Sequence, residues 1–440
     1  MNSFIRGNNI KPHSLFLFLG VILFTVAGMS EVAFAAADVV ITSEQQGTEV
    51  LALGYVEFPC VRGNPHAVPY APGTVLVSDL NFSGRFKVRF SPTFDTGAQT
   101  LFKQDGALAY LRGNYTLENG RYTLHCELVD LDSGSIIVQK DYSGPQDSLR
   151  QAAHRFADEL VFQLFGEKGI AQTRITYVNK RPGGKEVEIM DYDGANARPV
   201  TFNKSINLTP IFFGSKNKIL FTSFAAGQPQ FFTADLTASS GSKTEEIYAS
   251  AGMNSAPSYN ALDEEIVHAS TMDGNTQLYR RPVSGGKATR LTFSEGIDTS
   301  PSWSPNGYEI VFVSDRAGKP MLFLIDRDGS NLRRLTYDFD YYGSPVWSPK
   351  GDRIACVALD CGSNDFNIYT ITPEGTSPAV QLTAHAGSNE SPSWSPDGRH
   401  IAFMSTRSGS PEIYVMSADG TNPSRITFSG GNSMPSWSDY

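Results

Sequence analysis

The sequence of 440 residues is long enough for two or three domains, each with its own hydrophobic core. Apolar residues make up 40% of it and charged residues 18%, proportions that are typical of folded soluble proteins and that exclude extensive disorder. The net charge of −9, without a basic run longer than two residues, excludes a general affinity for nucleic acid or for anionic membranes.

The first 35 residues have the layout of a secretory signal peptide. Two basic residues precede an apolar run over residues 15–28, and the tripeptide Ala33–Ala35 fits an A-x-A cleavage site. The run is shorter than the roughly 20 residues that span a bilayer, which favours export over a membrane anchor. We therefore predict cleavage after Ala35, with Ala37 as the second choice, and a mature protein that is not membrane-integral.

The cysteines Cys60, Cys126, Cys356 and Cys361 follow this segment. In an oxidising compartment, four cysteines allow three disulfide connectivities. Bridges within each half of the chain, Cys60–Cys126 and Cys356–Cys361, are the simplest expectation. Four cysteines are too few for a disulfide scaffold in a chain of this length, so any bridge is an accessory.

Residues 36–170 show the mixture of strands and helices that is typical of a small α/β domain. The helix at 147–169 has one apolar face and ends at Gly166. The other predicted elements are strands at 38–42 and 50–58, a helix at 72–86 with a Ser-Gly stop, and two hairpins that turn at Asn119-Gly120 and Ser133-Gly134.

The second half contains a repeat, of which SPSWSPDG at residues 391–398 is the most regular copy. A proline precedes the key aromatic residue at positions 210, 257, 301, 345, 392 and 435, at intervals of 43 to 47 residues. Each interval holds four short strand-like segments joined by tight turns, without helical periodicity. A period in the forties with four strands per repeat predicts the blades of a β-propeller.

The last repeat supplies only a first strand, in MPSWSDY. Three further strands are predicted at the other end of the array, at 174–180, 186–194 and 197–203. We therefore predict an α/β N-terminal domain followed by an all-β six-bladed propeller over residues 171–440, closed by strands from both ends of the repeat array. Closure of this kind leaves no open sheet edge.

The repeated tryptophans are interpreted as large rings that fill space between blades. Two D-x-D-G segments, Asp191–Gly194 and Asp326–Gly329, lack the later ligands of a calcium loop and are interpreted as hairpin turns. The sequence thus predicts no metal and no cofactor.

The order of signal peptide, α/β domain and closed six-bladed propeller resembles the TolB family, the periplasmic component of the Tol-Pal envelope system. DLNFSGRF at 79–86 matches that family's D-L-x-x-S-G-x-F segment. Residues 154–178 match its helix, its G-x-K-G turn and its T-R-I-x-Y-V entry into the propeller.

This resemblance implies a periplasmic binding protein without enzymatic activity, which links the peptidoglycan-associated lipoprotein Pal to the inner-membrane protein TolA. Such a link maintains outer-membrane integrity and supports envelope constriction during cell division. A role in protein import is a further implication, and other outer-membrane proteins are further candidate partners. The candidates for Pal binding at the channel mouth are Asn254, Ser255, Thr299, Ser300 and Glu390. The candidates for TolA binding at the mature N-terminus are Asp38, Val39, Val40, Ile41 and Thr42.

Other roles are open to these residues. Ser300 stands where the family has an acidic residue, which weakens the transfer of that contact. Each channel-mouth residue could also serve only as a loop cap, and residues 38–42 could form an ordinary edge strand of the α/β domain.

The alternatives are a secreted propeller hydrolase or lyase with an unrecognised channel site, and a secreted carbohydrate-binding propeller. The sequence contains no G-x-S-x-G elbow and no H-E-x-x-H motif, and the Gly-Gly-Lys segment at 183–185 lacks the Ser or Thr of a phosphate-binding loop. The sequence therefore favours the interpretation as a binding protein.

Overall fold

The computed structural model describes residues 50–237, 243–248, 252–359 and 365–440, which form one compact unit. The predicted signal peptide with its cleavage site, the strand at 38–42 with the TolA candidates, and Cys361 lie outside these ranges.

The N-terminal part is a mixed sheet with helices on both faces. Its strands lie in the order β3-β1-β4-β5-β6, with β2 beside β4. β1 runs parallel to β3 and β4, while β4, β5 and β6 form antiparallel hairpins. The elements in chain order are β1 (Leu51–Val56), β2 (Cys60–Arg62), α1 (Pro72–Phe82), β3 (Phe86–Ser91), α2 (Thr96–Gln104), β4 (Ala109–Glu118), β5 (Arg121–Asp130), β6 (Ile136–Pro145) and α3 (Leu149–Phe165), with single turns of 3-10 helix at Pro65–Ala67 and Gln146–Ser148.

The hydrophobic residues of α1 and α3 determine which face of the sheet they cover. Leu80 and Phe156 are fully buried in one cluster with Leu111 of β4. On the opposite face, Phe102 of α2 packs in a separate cluster with Tyr110. The predicted helices and hairpins are confirmed, although α1 ends at Phe82 and Phe86 already belongs to β3. β2, β3 and α2 are elements that the sequence analysis missed.

The expected disulfides are wrong, because Cys60, Cys126 and Cys356 are free thiols. Cys60 lies on β2 and Cys126 on β5, and β4 separates the two strands. Cys126 and Cys356 are buried among apolar side chains, and this burial raises the pKa of both thiols.

The propeller has six blades of four antiparallel strands, as predicted. The inner strands of successive blades contact one another in a ring. From the inner to the outer strand, blade 1 consists of β10 (Asn207–Phe213), β11 (Ser215–Ser223), β12 (Gln230–Asp235) and β13 (Thr244–Ile247), and blade 2 of β14 (Asn254–Asn260), β15 (Glu265–Ser270), β16 (Gln277–Pro282) and β17 (Thr289–Arg290). Blade 3 consists of β18 (Asp298–Trp303), β19 (Glu309–Ser314), β20 (Met321–Asp326) and β21 (Arg333–Arg334), and blade 4 of β22 (Tyr341–Trp347), β23 (Ile354–Leu359), β24 (Asn367–Ile371) and β25 (Val380–Gln381). Blade 5 consists of β26 (Asn389–Trp394), β27 (His400–Ser405), β28 (Glu412–Ser417) and β29 (Ser424–Arg425), and blade 6 of β30 (Asn432–Trp437), β7 (Arg174–Arg181), β8 (Gly184–Asp191) and β9 (Arg198–Pro199).

Blade 6 closes the ring with strands from both ends of the array. β30 pairs with β7, and Trp437 lies opposite Ile175. The indole N–H of Trp437 donates to the hydroxyl of Thr173 at 2.8 Å, and the Ser438 amide donates to the Arg174 carbonyl at 2.9 Å. The predicted closure is confirmed.

A buried polar network joins the α/β part to blades 5 and 6. Asp79 of α1 accepts from the Tyr192 hydroxyl at 2.6 Å, and its other oxygen lies 2.7 Å from Nδ1 of His154. Beside it, the ring of Phe82 stacks on His400 at a centroid distance of 4.2 Å. Burial raises the pKa of the Asp79 carboxyl. We call these five residues the seam.

Candidate partner-binding site

The central channel is lined by the six inner strands, and three successive positions at the start of each strand form three rings at its mouth. The inner strands and the turns after them surround a cavity of about 540 Å³. The first ring consists of residues that are buried at the junctions between blades: Asn207, Asn254, Asp298, Tyr342, Asn389 and Asn432.

The first ring fastens each inner strand in place. The Asn254 amide of blade 2 donates to Oε1 of Gln230 in blade 1 at 2.7 Å, and the Asn432 amide donates to Oε2 of Glu412 at 2.6 Å. The side chain of Asn254 is fully buried, so the structure places this Pal candidate where it positions the adjacent loop. Asn254 can influence a partner only through the backbone that it holds.

The second ring directly follows the first. Its three members that are predicted Pal contacts are only partly buried. Its members are Leu208, Ser255, Thr299, Gly343, Glu390 and Ser433. The structure therefore brings three of the predicted Pal contacts, Ser255, Thr299 and Glu390, to one level of the channel mouth. Glu390 is the ring's only ionisable residue, and its partial burial raises the pKa of its carboxyl.

The third ring consists of the residues that directly precede the repeated prolines. All six have a positive φ between 45° and 55°, and they are Thr209, Ala256, Ser300, Ser344, Ser391 and Met434. Each lies in a β-bulge; in blade 3, the pairing register skips from Thr299↔Val313 to Ser302↔Val311. Ser300, the fifth Pal candidate, thus lies one level below Thr299 in a strained backbone conformation.

The strain in this ring has a recognisable source. A residue before proline ordinarily adopts an extended conformation. Placing a residue with a Cβ in the left-handed region instead costs about 1–2 kcal/mol of stability. Clusters of such residues are typical of binding sites, where surrounding structure enforces them. The sequence analysis missed this feature, although a proline within a predicted inner strand was a signal for a bulge.

The serines and tryptophans of the repeat connect neighbouring blades below the rings. The Trp347 amide donates to the hydroxyl of Ser302 at 3.1 Å, and the Trp437 amide donates to Ser393 at 2.9 Å. The four tryptophans of the chain are 6–7% exposed. Their predicted role as space-filling residues is confirmed, and the repeated serine has a matching role as an inter-blade acceptor.

Exposed aromatic residues follow the fourth strands at the same end of the propeller, and three of them, each with an arginine three residues earlier, form what we call the aromatic rim. Phe293, Tyr337 and Phe428 follow the fourth strands of blades 2, 3 and 5 and are 68–76% exposed. An arginine three residues earlier covers each ring, at 4.7 Å from Arg290 to Phe293, for example. Large exposed rings held by arginine are common in protein interfaces, and the recurring R-[LI]-T-[FY] segment was the signal for them.

The predicted hairpin turns are present, since the Gly194 and Gly329 amides each donate to the carbonyl of the first aspartate at 2.9 Å. Within the described ranges, no three His, Cys, Asp or Glu side chains cluster closely enough to hold a metal ion. None of the helices in these ranges has the length and apolar character required to cross a membrane.

Similarity to known proteins was found at the level of family and of sequence. The family model for the TolB beta propeller domain matches residues 161–367 and 343–440. A protein described as a TolB homolog from Chlorobium chlorochromatii is 33% identical over 255 residues, which cover 56% of this chain and 57% of that protein. A Tol-Pal system protein TolB from Desulfosudis oleivorans is 37% identical over 174 residues, which cover 40% of this chain and 39% of that protein. The chain thus spans less than two thirds of either relative.

The structure is also similar to a solved one. The crystal structure of TolB from Acinetobacter baumannii superposes with a TM-score of 0.73 and covers 89% of this chain and 97% of that chain. The identity is 23%, so this likeness shows the shared fold.

Proposed function

Since the chain belongs to the TolB beta propeller family, we propose that it is a protein-binding component of a Tol-Pal system in the periplasm. Pal and TolA are its proposed partners, and its proposed role is to support outer-membrane integrity and envelope constriction at division. The observation that carries this proposal is the channel mouth, where six inner strands present a ring with one half-buried carboxylate above a ring of strained bulges. No observation in the described residues favours the hydrolase, lyase or carbohydrate-binding alternatives.

We place the Pal-binding surface at the second ring and the aromatic rim. Fixed backbone and a partly desolvated acid favour recognition, because little conformational entropy is lost when a rigid surface binds. Ser255, Thr299 and Glu390 contribute side chains at the centre, while Asn254 in the first ring and Ser300 in the third fix the backbone on either side of them.

The test is calorimetric titration of Pal into the mature protein and three variants, Glu390→Lys, Thr299→Tyr and Ser300→Asn. Asparagine tolerates the left-handed backbone of position 300, so that variant enlarges the side chain without a new strain. We expect Glu390→Lys and Thr299→Tyr, which change central side chains, to cost about 2 kcal/mol or more each, which is roughly a 30-fold increase in Kd, and Ser300→Asn to weaken binding through the backbone that it supports.

Glu374→Lys is the matched charge-reversal control, because Glu374 is exposed in the turn after β24, at the opposite end of the propeller. The control should bind as the unmodified protein does. Unchanged affinity in all three test variants, with intact folding, would place the interface elsewhere.

The proposed TolA-binding segment is the mature N-terminus, Ala36–Ser43, which contains the candidates at 38–42. A short strand at a chain end can detach at low cost and add to a partner's sheet edge through its backbone. Deletion of Ala36–Ser43 should abolish TolA binding and preserve Pal binding. Retained TolA affinity would contradict the assignment, and loss of both partners would indicate misfolding.

A further inference from the structure

Blade 2 departs from the other blades at two positions that face blade 1. His268 of β15 lies opposite Tyr279 of β16, and Ile266 lies opposite Arg281. The residues that occupy the place of His268 in the other blades are Phe221, Phe312, Cys356, Phe403 and Tyr177. The residues that occupy the place of Arg281 are Ala234, Ile325, Ile371, Met416 and Met190. One blade thus carries two basic side chains where five blades are apolar.

Both basic side chains are deeply buried, and each has a nitrogen without a partner, although Nδ1 of His268 lies 3.4 Å from the Ala269 carbonyl. His268 is 0% exposed and Arg281 is 8% exposed. Nε2 of His268 and Nε of Arg281 are buried without a hydrogen-bond partner. No carboxylate among the described residues forms an ion pair with Arg281, whose guanidinium instead lies 4.7 Å from the ring centroid of Tyr248.

An uncompensated buried cation is strongly destabilising, because removing a charge from water costs several kcal/mol unless an opposite charge replaces the lost hydration. A hydrophobic residue at position 281, as in the other blades, would avoid this cost. The presence of arginine beside histidine at this place therefore points to a negatively charged ligand that compensates its charge.

We propose that Arg281 and His268 form a binding site for a small oxyanion between blades 1 and 2. The planar guanidinium fork suits two oxygens of a carboxylate or phosphate group. In the structure, Nδ1 of His268 faces the Ala269 carbonyl at 3.4 Å; with an oxyanion bound, the ring gives up this long contact and donates from Nε2 in the other tautomer. The walls of the site are aromatic, with Phe231 at a centroid distance of 5.2 Å from His268.

The site lies beside Tyr248, which directly follows the last strand of blade 1. Tyr248, which packs on Arg281, is the last described residue before the segment that leads to Gly252 and the inner strand of blade 2. Its hydroxyl bonds to the Val283 carbonyl. An oxyanion on Arg281 would lie next to Tyr248, because the ring of Tyr248 packs on that guanidinium.

The experiment measures the Tm of the mature full chain in chloride buffer, with sodium phosphate or sodium acetate added at constant ionic strength. A specific site gives a saturable rise in Tm that follows mass action, whereas general screening gives the same response to every salt. Phosphate and acetate are compared in separate arms, so the preferred oxyanion class is read from the lower half-saturation concentration.

Three variants decide the assignment. Arg281→Met introduces the residue that blade 5 has at this place, Met416. It should raise Tm in chloride alone and abolish the oxyanion response. Arg280→Met is the matched control, because Arg280 pairs with Glu265 on the other face of the blade, and it should keep the response. Arg281→Lys keeps the charge without the fork and should raise the half-saturation concentration about tenfold.

A second readout is the Nε2 resonance of His268, which should shift with phosphate in the unmodified protein and in Arg280→Met. The proposal is overturned if neither oxyanion gives a saturable shift beyond that of chloride. It is also overturned if the response survives in Arg281→Met or, should that variant not fold, if Arg281→Lys responds like the unmodified protein.

Discussion

Replacing Ala256 with glycine should stabilise the propeller, although it removes a side-chain carbon. Ala256 has a φ of 49° directly before Pro257. Alanine in this region costs about 1–2 kcal/mol, and glycine removes that cost. Glycine also loses about 0.5–1 kcal/mol more conformational entropy on folding. The expected net gain for Ala256→Gly is therefore about 0.5–1 kcal/mol.

The matched control is Ala269→Gly on the neighbouring strand of the same blade. Ala269 is fully buried and pairs with Ser255, in the ordinary extended register of β15. There, glycine loses a buried methyl group of about 0.8 kcal/mol in addition to the entropic loss of about 0.5–1 kcal/mol. We expect a destabilisation of about 1.5 kcal/mol.

Both variants are compared with the unmodified protein by urea denaturation. The midpoint should rise for Ala256→Gly and fall for Ala269→Gly, with an unchanged m-value. If Ala256→Gly lowered the midpoint as Ala269→Gly does, the left-handed conformation of the third ring would not be a source of strain.

The remaining predictions concern closure, the channel-mouth acid and the rim. Removing residues 434–440 should lower Tm sharply, because loss of a buried Trp437 alone typically costs about 3–5 kcal/mol; an unchanged Tm would refute closure. Glu390→Gln should raise Tm at neutral pH and have little effect below pH 4.5, the ordinary pKa of its carboxyl. Burial raises the pKa of the Glu390 carboxyl in the folded state above 4.5. The free energy of unfolding therefore falls as the pH rises from 4.5 through this raised pKa. A difference in Tm that does not depend on pH would contradict this account. Phe293→Ala and Tyr337→Ala should change stability by less than about 0.5 kcal/mol yet weaken Pal binding, as denaturation and calorimetry would show; normal binding would exclude the rim.

The sequence pattern predicted those elements that bury a strong apolar face. The hairpin at Asn119-Gly120 and the helix that ends at Gly166 both combine an apolar period with a residue that adopts a positive φ. β3 and α2 escaped detection because each buries little: only Phe86 of β3 and only Ala98 and Phe102 of α2 are buried. Edge elements of this kind are specified by their neighbours in the fold.

The candidate site was predictable only in outline. The period of the repeat located the inner strands and therefore placed Thr299 and Glu390 at the channel mouth. Whether a polar residue there is exposed depends on partners in the preceding blade, as Asn254 shows through its bond to Gln230, 24 residues earlier. Likewise, the local sequence around Arg281 does not show that its side chain lacks an acidic partner in the fold.

The closing blade also determines the order in which the molecule can fold. Asn179 bonds to Asn432 across 253 residues of chain, and Trp437 bonds to Thr173 across 264. Contacts at such separations form late, because the entropy of closing the loop must be met before they contribute stability. Blades 1 to 5 can assemble from local hairpins, whereas blade 6 must wait for both ends of the array. Substitutions in β30 should therefore accelerate unfolding and leave the folding rate nearly unchanged, so the lifetime of the ring depends on its last strand.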